Sequence, residues 1–178
     1  MTICLVGSEM CIRDSFEGLG ALAGLDSLAL TTNGSQLADS GHALRNAGVN
    51  SINISLDSLQ AERFKAITRI GDLNTVLRGI DRAVECGFDR IRLNAVILDG
   101  LNRDEVVPLT HYALEKGIHI AFIEEMPLGQ VNVGGKPLSY VSSDTLQEEL
   151  AGHFTLVPMT ASDTAGPVSY THLTLPTK

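Results

Sequence analysis

Hydrophobic residues recur along the chain in short runs that end in polar residues, and a segment of helical period follows each run. Four such runs begin at Leu28, Ile52, Ile91 and Ile118. Apolar runs of this length, bounded by turn residues, predict buried strands. Strands that alternate with helices predict parallel pairing with right-handed crossovers. The pattern therefore predicts an α/β fold, a partial parallel β/α (TIM-like) barrel with about four consecutive βα units.

The segments between and after these runs carry apolar residues at helical spacing. The predicted helices cover residues 36–47, 59–68, 74–86, 103–116 and 142–150. Pro108 falls near the start of the fourth helix and predicts a kink or a later start. Ser58 is the predicted cap of the second helix, and Ser143 or Asp144 that of the last.

Composition narrows the class of protein. The chain has 178 residues and a formal net charge of −8, which argues against broad contact with nucleic acid or an anionic membrane. It shows neither a signal peptide nor an apolar run of the ~20 residues that a spanning helix needs. We therefore predict a cytoplasmic protein. Its cysteines, Cys4, Cys11 and Cys86, match neither a zinc-ribbon spacing nor a C-x-x-C pair.

Polar side chains at the ends of the predicted strands are the candidates for chemistry. Thr31, with the Thr-Asn-Gly that follows it, could contact a nucleotide or simply form a turn, and the pattern favours neither. Ser55 and Asp57 occupy alternate positions of the second strand, so both should face inward near the barrel mouth. Asp57 could instead cap the next helix. Arg92 should also face inward, where it needs a phosphate or a carboxylate such as Asp57 or Glu124.

The sequences at both ends of the chain differ in character from the sequence of its middle. Residues 1–15 and 168–178 resemble translated sequencing-adapter DNA, and such segments do not belong in fold reasoning. The alternative is a genuine amino-terminal strand and a genuine carboxyl-terminal tail. We expect the native segment to be residues 16–167, the central part of a barrel domain.

Four motifs follow one another in order along the middle of the chain. They are Leu30-Thr-Thr-Asn-Gly34, Asn53-Ile-Ser-Leu-Asp-Ser58, Arg92-Leu-Asn-Ala-Val96 and Phe122-Ile-Glu-Glu-Met-Pro-Leu-Gly129. Gly100-Leu-Asn-Arg-Asp-Glu105 lies between the last two. In this order and at this spacing, they resemble the central part of the GTP 3′,8-cyclase family of radical S-adenosylmethionine (SAM) enzymes.

The resemblance implies an activity and a set of ligand contacts. Family members are lyases of molybdenum cofactor biosynthesis, in which an iron–sulfur cluster cleaves SAM and the resulting radical starts the cyclisation of GTP. By position, Thr31 and Arg92 are the implied GTP contacts, and Ser55 and Met126 the implied SAM contacts. The resemblance assigns no catalytic residue. The family usually has lysine where this chain has Arg92.

The resemblance also implies SAM and two [4Fe–4S] clusters as cofactors and a separate electron donor, and it is compatible with a homodimeric full-length form. The C-x3-C-x2-C and Gly-Gly-Glu-Pro motifs of the family are not in the sequence. A cluster needs thiolate ligands, so we expect the chain by itself to be inactive.

Three alternatives remain open on the sequence. The first is another radical SAM enzyme of cofactor or peptide maturation, and the second is a non-catalytic half barrel that binds SAM or a nucleotide. The third is an ordinary barrel enzyme that uses Asp57, Arg92 and Glu124 for acid–base chemistry.

Overall fold

The computed structural model of the chain describes residues 2–5, 12–124, 132–133, 136–137, 139–158 and 171–174. In these ranges the strands are β1 (Thr2–Leu5), β2 (Ser27–Thr32), β3 (Ser51–Ser55), β4 (Arg90–Val96), β5 (Leu98–Asp99), β6 (His119–Ile123), β7 (Asn132–Val133), β8 (Lys136–Pro137), β9 (Ser139–Tyr140), β10 (Thr155–Pro158) and β11 (Thr171–Thr174). The α-helices are α1 (Ile12–Gly20), α2 (Leu37–Asn46), α3 (Ala61–Thr68), α4 (Leu73–Glu85), α5 (Val106–Lys116) and α6 (Ser143–Ala151). A 3-10 helix, η1, covers Arg103–Glu105.

The main sheet is parallel throughout its described length. Its strand order is β1-β2-β3-β4-β6, and helices connect the successive strands. This arrangement confirms the predicted α/β class and the partial β/α barrel with its consecutive βα units. None of the described helices combines the length and the apolar composition that crossing a bilayer requires.

Two strands lie in the end segments that resemble adapter sequence. β1 pairs in parallel with β2, with Thr2 opposite Ser27, and β11 pairs antiparallel to β10. β1 lies where the alternative, a genuine amino-terminal strand, would lie. The boundaries at residues 15 and 168 stay predictions.

The predicted helices all form, but two predicted caps are wrong. α3 begins after Gln60, two residues beyond Ser58, whose hydroxyl instead donates to Glu105. Ser142 caps α6, since its Oγ accepts from the Thr145 N–H at 3.2 Å. The alternative of a later start at Pro108 is confirmed. η1 precedes α5, and the proline lies in the first turn of α5. Backbone N–H groups in that turn have no intrahelical acceptor, so the missing N–H of proline costs no helical hydrogen bond.

The hydrophobic core lies between one face of the sheet and the helices. Alternate residues of β2, β3 and β4 are buried, and Leu30, Ile52 and Ile91 form one cross-strand row of them. The intervening residues are only half-buried or exposed. A strand presents successive side chains to opposite faces, so these intervening residues share the second, more open face of the sheet.

Buried polar residues hold together the loops that follow β3 and β4. The Asn102 amide donates to the Asp57 and Val96 carbonyl oxygens at 2.8 and 2.9 Å. The Glu105 carboxylate accepts from the Ser58 hydroxyl and the Leu59 N–H at 2.6 and 2.5 Å. Both side chains belong to the Gly100–Glu105 motif, and Asn102 is 0% and Glu105 2% exposed. The motif therefore fixes two strand ends where the candidate ligand residues lie.

Candidate functional site

The open face of the sheet carries a row of polar side chains that crosses four strands. Thr31 of β2 lies opposite Asn53 of β3, and Asn53 lies opposite Arg92 of β4. His119 of β6 continues the row beside Arg92. Two of the predicted ligand residues, Thr31 and Arg92, are thus brought into one row although 61 positions separate them in the sequence.

A single side chain, Asn53, joins these two residues. Its Nδ2 donates to Thr31 Oγ1 at 3.4 Å, and its Oδ1 accepts from Arg92 Nε at 3.0 Å. Sequence analysis did not single out Asn53. The signal was present, because Asn53 alternates with Ser55 and Asp57 and so shares their face of the strand.

The two residues after Thr31 form a turn. The Asn33 side-chain oxygen accepts from the Ser35 N–H at 3.1 Å, and Thr32 Oγ1 accepts from the Gly34 N–H at 3.2 Å. These local contacts favour the turn interpretation for Thr32 and Asn33. Thr31 differs from both because it lies in the row on the open face.

Ser55, a predicted SAM contact, lies one row nearer the carboxyl end of the sheet. It is exposed, ends β3 and lies opposite Asn94. Two residues along a strand span about 6.6 Å, so Ser55 and the Thr31–Asn53–Arg92 row lie close enough to contact neighbouring ligands. Met126, the other predicted SAM contact, lies outside the described residues.

Asp57 and Glu124 each accept hydrogen bonds from residues distant in the sequence. Asp57 Oδ1 accepts from the Val96 N–H at 2.8 Å, which extends the β3–β4 pairing beyond the ladder. The Glu124 carboxylate accepts from the N–H and the hydroxyl of Ser143, at the first turn of α6. A carboxylate at a helix N-terminus is stabilised by the unpaired N–H groups there. This contact accounts for a carboxylate at position 124 without a role in acid–base chemistry.

Burial raises the pKa of Asp57 above its usual range, although its hydrogen bond from the Val96 N–H opposes the shift. Because the folded-state pKa is the higher one, the folded chain holds the proton more tightly than the unfolded chain does. The contribution of Asp57 to the free energy of unfolding therefore falls as the pH rises from about 3.9 to the raised value.

The variant Asp57→Asn should keep the acceptor for Val96 and remove the buried charge. We expect its free energy of unfolding to exceed that of the wild type at neutral pH, and the difference to shrink as the pH falls toward about 3.9. Urea denaturation at a series of pH values measures this difference. Asp39→Asn, at an exposed position of α2, is the control for loss of one charge. A difference that is the same at every pH would contradict the argument.

Cys86, the cysteine whose side chain the structure describes, does not suit an iron–sulfur cluster. Cys86 follows α4, and burial raises the pKa of its thiol, which disfavours the thiolate that a metal requires. Within the described part of the chain, no three or more His, Cys, Asp or Glu side chains group in a way that could hold a metal ion.

Comparisons with known proteins identify a matching family model and several similar proteins. Residues 8–113 match the model of the radical SAM superfamily. A GTP 3′,8-cyclase of Saccharophagus degradans is 46% identical over 168 residues, which are 92% of this chain and 50% of that protein. A GTP 3′,8-cyclase of Pseudomonas entomophila is 47% identical over 175 residues, 96% of this chain and 52% of that protein. The chain spans about half the length of the curated relatives it matches. It belongs to the radical SAM superfamily, and within that superfamily it is similar to GTP 3′,8-cyclases.

Proposed function

We propose that the chain is the central part of a GTP 3′,8-cyclase, a lyase that converts GTP to (8S)-3′,8-cyclo-7,8-dihydroguanosine 5′-triphosphate in molybdenum cofactor biosynthesis. The observation that carries the proposal is the row of Thr31, Asn53 and Arg92, joined by hydrogen bonds of 3.4 and 3.0 Å on the open face of the sheet. A cation and a hydroxyl held in one row suit the anionic and hydroxyl groups of a nucleotide.

Arg92 is the proposed anchor for GTP. A guanidinium stays charged at every physiological pH and donates to phosphate oxygens in a planar fork. Arg92 is half-buried, so water screens its charge less than that of an exposed arginine. Where the family usually has lysine, the arginine keeps the charge and adds a planar geometry. Thr31 supplies a neighbouring hydroxyl.

The SAM site is proposed at the adjacent row of the sheet. Ser55 presents an exposed hydroxyl there, which fits a contact to the polar groups of SAM. Met126 is the second proposed contact. Bound SAM would supply the radical chemistry of the family, and Ser55 and Arg92 would hold the two ligands on adjacent rows of one surface.

The remaining properties are proposed for the parent enzyme. Two [4Fe–4S] clusters and an electron donor would complete it, and residues 16–167 would form the middle of its barrel. We propose a cytoplasmic enzyme without nucleic-acid or membrane partners, whose full-length form could be a homodimer. Because the sequence lacks C-x3-C-x2-C, the 178-residue chain by itself would bind ligands without turnover.

GTP binding to the chain tests the proposal. We expect the wild type to bind GTP in an isothermal titration. Arg92→Ala should weaken the affinity about 10- to 100-fold, the effect of losing one charge-assisted hydrogen bond. Arg78→Ala removes an equal charge from an exposed position of α4 and is the control. Absence of GTP binding in the wild type, or an equal loss in the two arginine variants, would overturn the proposal.

A further inference from the structure

Asn53 occupies the centre of the polar row, and its hydrogen bonds determine the orientation of its amide. The amide oxygen can only accept and the amide nitrogen can only donate. Arg92 offers only donors, so Oδ1 must face Arg92 Nε, at 3.0 Å. Nδ2 then faces Thr31 Oγ1, at 3.4 Å. One side chain thereby contacts both residues proposed to bind GTP.

Each of these contacts has a consequence for the group that it orients. Thr31 Oγ1 accepts from Asn53, so the hydroxyl proton of Thr31 points away from that amide. Arg92 donates to Asn53 through Nε, so this hydrogen bond does not use its Nη groups. A cation already restrained by a hydrogen bond loses less conformational freedom when an anion binds.

The contact is specific to arginine at position 92. A lysine side chain has no N–H part-way along its length, and its single ammonium lies at the tip. An amide at position 53 therefore cannot hold a lysine by the same bond while leaving its terminal charge directed at a ligand.

The register of the strands does not depend on this amide. Backbone pairing already places Thr31 opposite Asn53 and Asn53 opposite Arg92. The buried residues on the other face, Ile52 and Ile54, are both 0% exposed and secure β3 against the helices. Removal of the Asn53 side chain should therefore alter the row without unfolding the sheet.

We propose that Asn53 is a positioning residue for the nucleotide site: it orients the Arg92 guanidinium and the Thr31 hydroxyl toward the phosphates of GTP. This inference rests on the proposed function and assigns a role to a residue that the resemblance leaves without one. Asn53 acts through its two neighbours.

GTP titrations of matched variants of the chain test the assignment. Asn53→Ala should raise the Kd for GTP about 5- to 10-fold while the midpoint of urea denaturation stays near that of the wild type. Asn53→Asp should weaken binding more, because a carboxylate would pair with Arg92 and repel phosphate. Ser51→Ala, on the same face of β3 and one row away, is the control and should leave the Kd unchanged.

A double-mutant cycle separates positioning from a merely structural role. In the Arg92→Lys background we expect Asn53→Ala to raise the Kd less than it does in the wild-type background, since the Nε bond is already lost and only the contact to Thr31 remains. An equal effect of Asn53→Ala in both backgrounds would overturn the inference. So would a Kd in Asn53→Ala equal to that of Ser51→Ala while Arg92→Ala still weakens binding, and in that case the proposed function stands. If the wild type does not bind GTP, the proposed function and the inference both fail.

Discussion

Replacing Glu105 with alanine is expected to lower the free energy of unfolding by about 3–5 kcal/mol. The Glu105 carboxylate is 2% exposed and accepts from the Ser58 hydroxyl, the Leu59 N–H and Arg63 Nη1 at 2.6, 2.5 and 2.6 Å. Without it, the Leu59 N–H loses its acceptor and the buried Ser58 hydroxyl keeps only the Gln60 carbonyl oxygen, at 3.3 Å, while Arg63 loses a buried carboxylate; each such loss costs about 1–3 kcal/mol. Urea denaturation measures the effect.

Asp104→Ala is the matched control, because Asp104 is the neighbouring residue and pairs with the same arginine. Arg63 Nη1 lies 2.7 Å from Asp104, whose side chain is 63% exposed. An exposed pair of this kind contributes less than about 1 kcal/mol. Glu105→Gln keeps the shape and one acceptor, and should fall between the two variants. Equal losses in Glu105→Ala and Asp104→Ala would show that the buried network does not stabilise these loops.

Replacing Gly79 with alanine is expected to lower the free energy of unfolding by about 1–3 kcal/mol. A Cβ at Gly79 would lie 2.4 Å from the Gly34 carbonyl oxygen, a backbone atom that cannot rotate away. Gly34 itself has a φ of +78° and little room to move, because Ile54 and Val76 lie beside it. The added methyl should therefore displace the turn that follows Thr31, and the exchange of the Gly34 and Ser35 amide hydrogens should quicken.

Gly41→Ala is the control for this substitution. Gly41 is also a buried helical glycine, on the α2 side of the α2–α4 contact. A Cβ there would meet only side-chain atoms, Arg82 Cγ and Cys86 Sγ, each at 3.1 Å. Side chains can adjust, and alanine favours a helix over glycine by about 1 kcal/mol, so the net change should stay below about 1 kcal/mol. Equal losses in the two variants would contradict a role of the Gly34 carbonyl.

Hydrophobic periodicity alone was enough to predict β2, β3, β4 and β6 and the helices between them. The run from Ile52 to Asp57 alternates buried and open positions, and the structure has Ile52 and Ile54 at 0% exposure. Helix caps were harder to predict. Ser58 has the right residue type and position for a cap, but it donates to Glu105, 47 residues away. Nothing within a few residues of Ser58 indicates that partner.

The sequence by itself determined the βα repeat and which face of each strand Thr31, Ser55 and Arg92 occupy, because side-chain alternation is a property of the local backbone. The tertiary structure decided that Asn53 stands between Thr31 and Arg92, through contacts that span 22 and 39 positions of the chain. Such pairs depend on strand register, and the packing of each strand's buried face against the helices sets that register. The individual residues could be identified from the sequence, whereas the row that joins them exists only in the folded sheet.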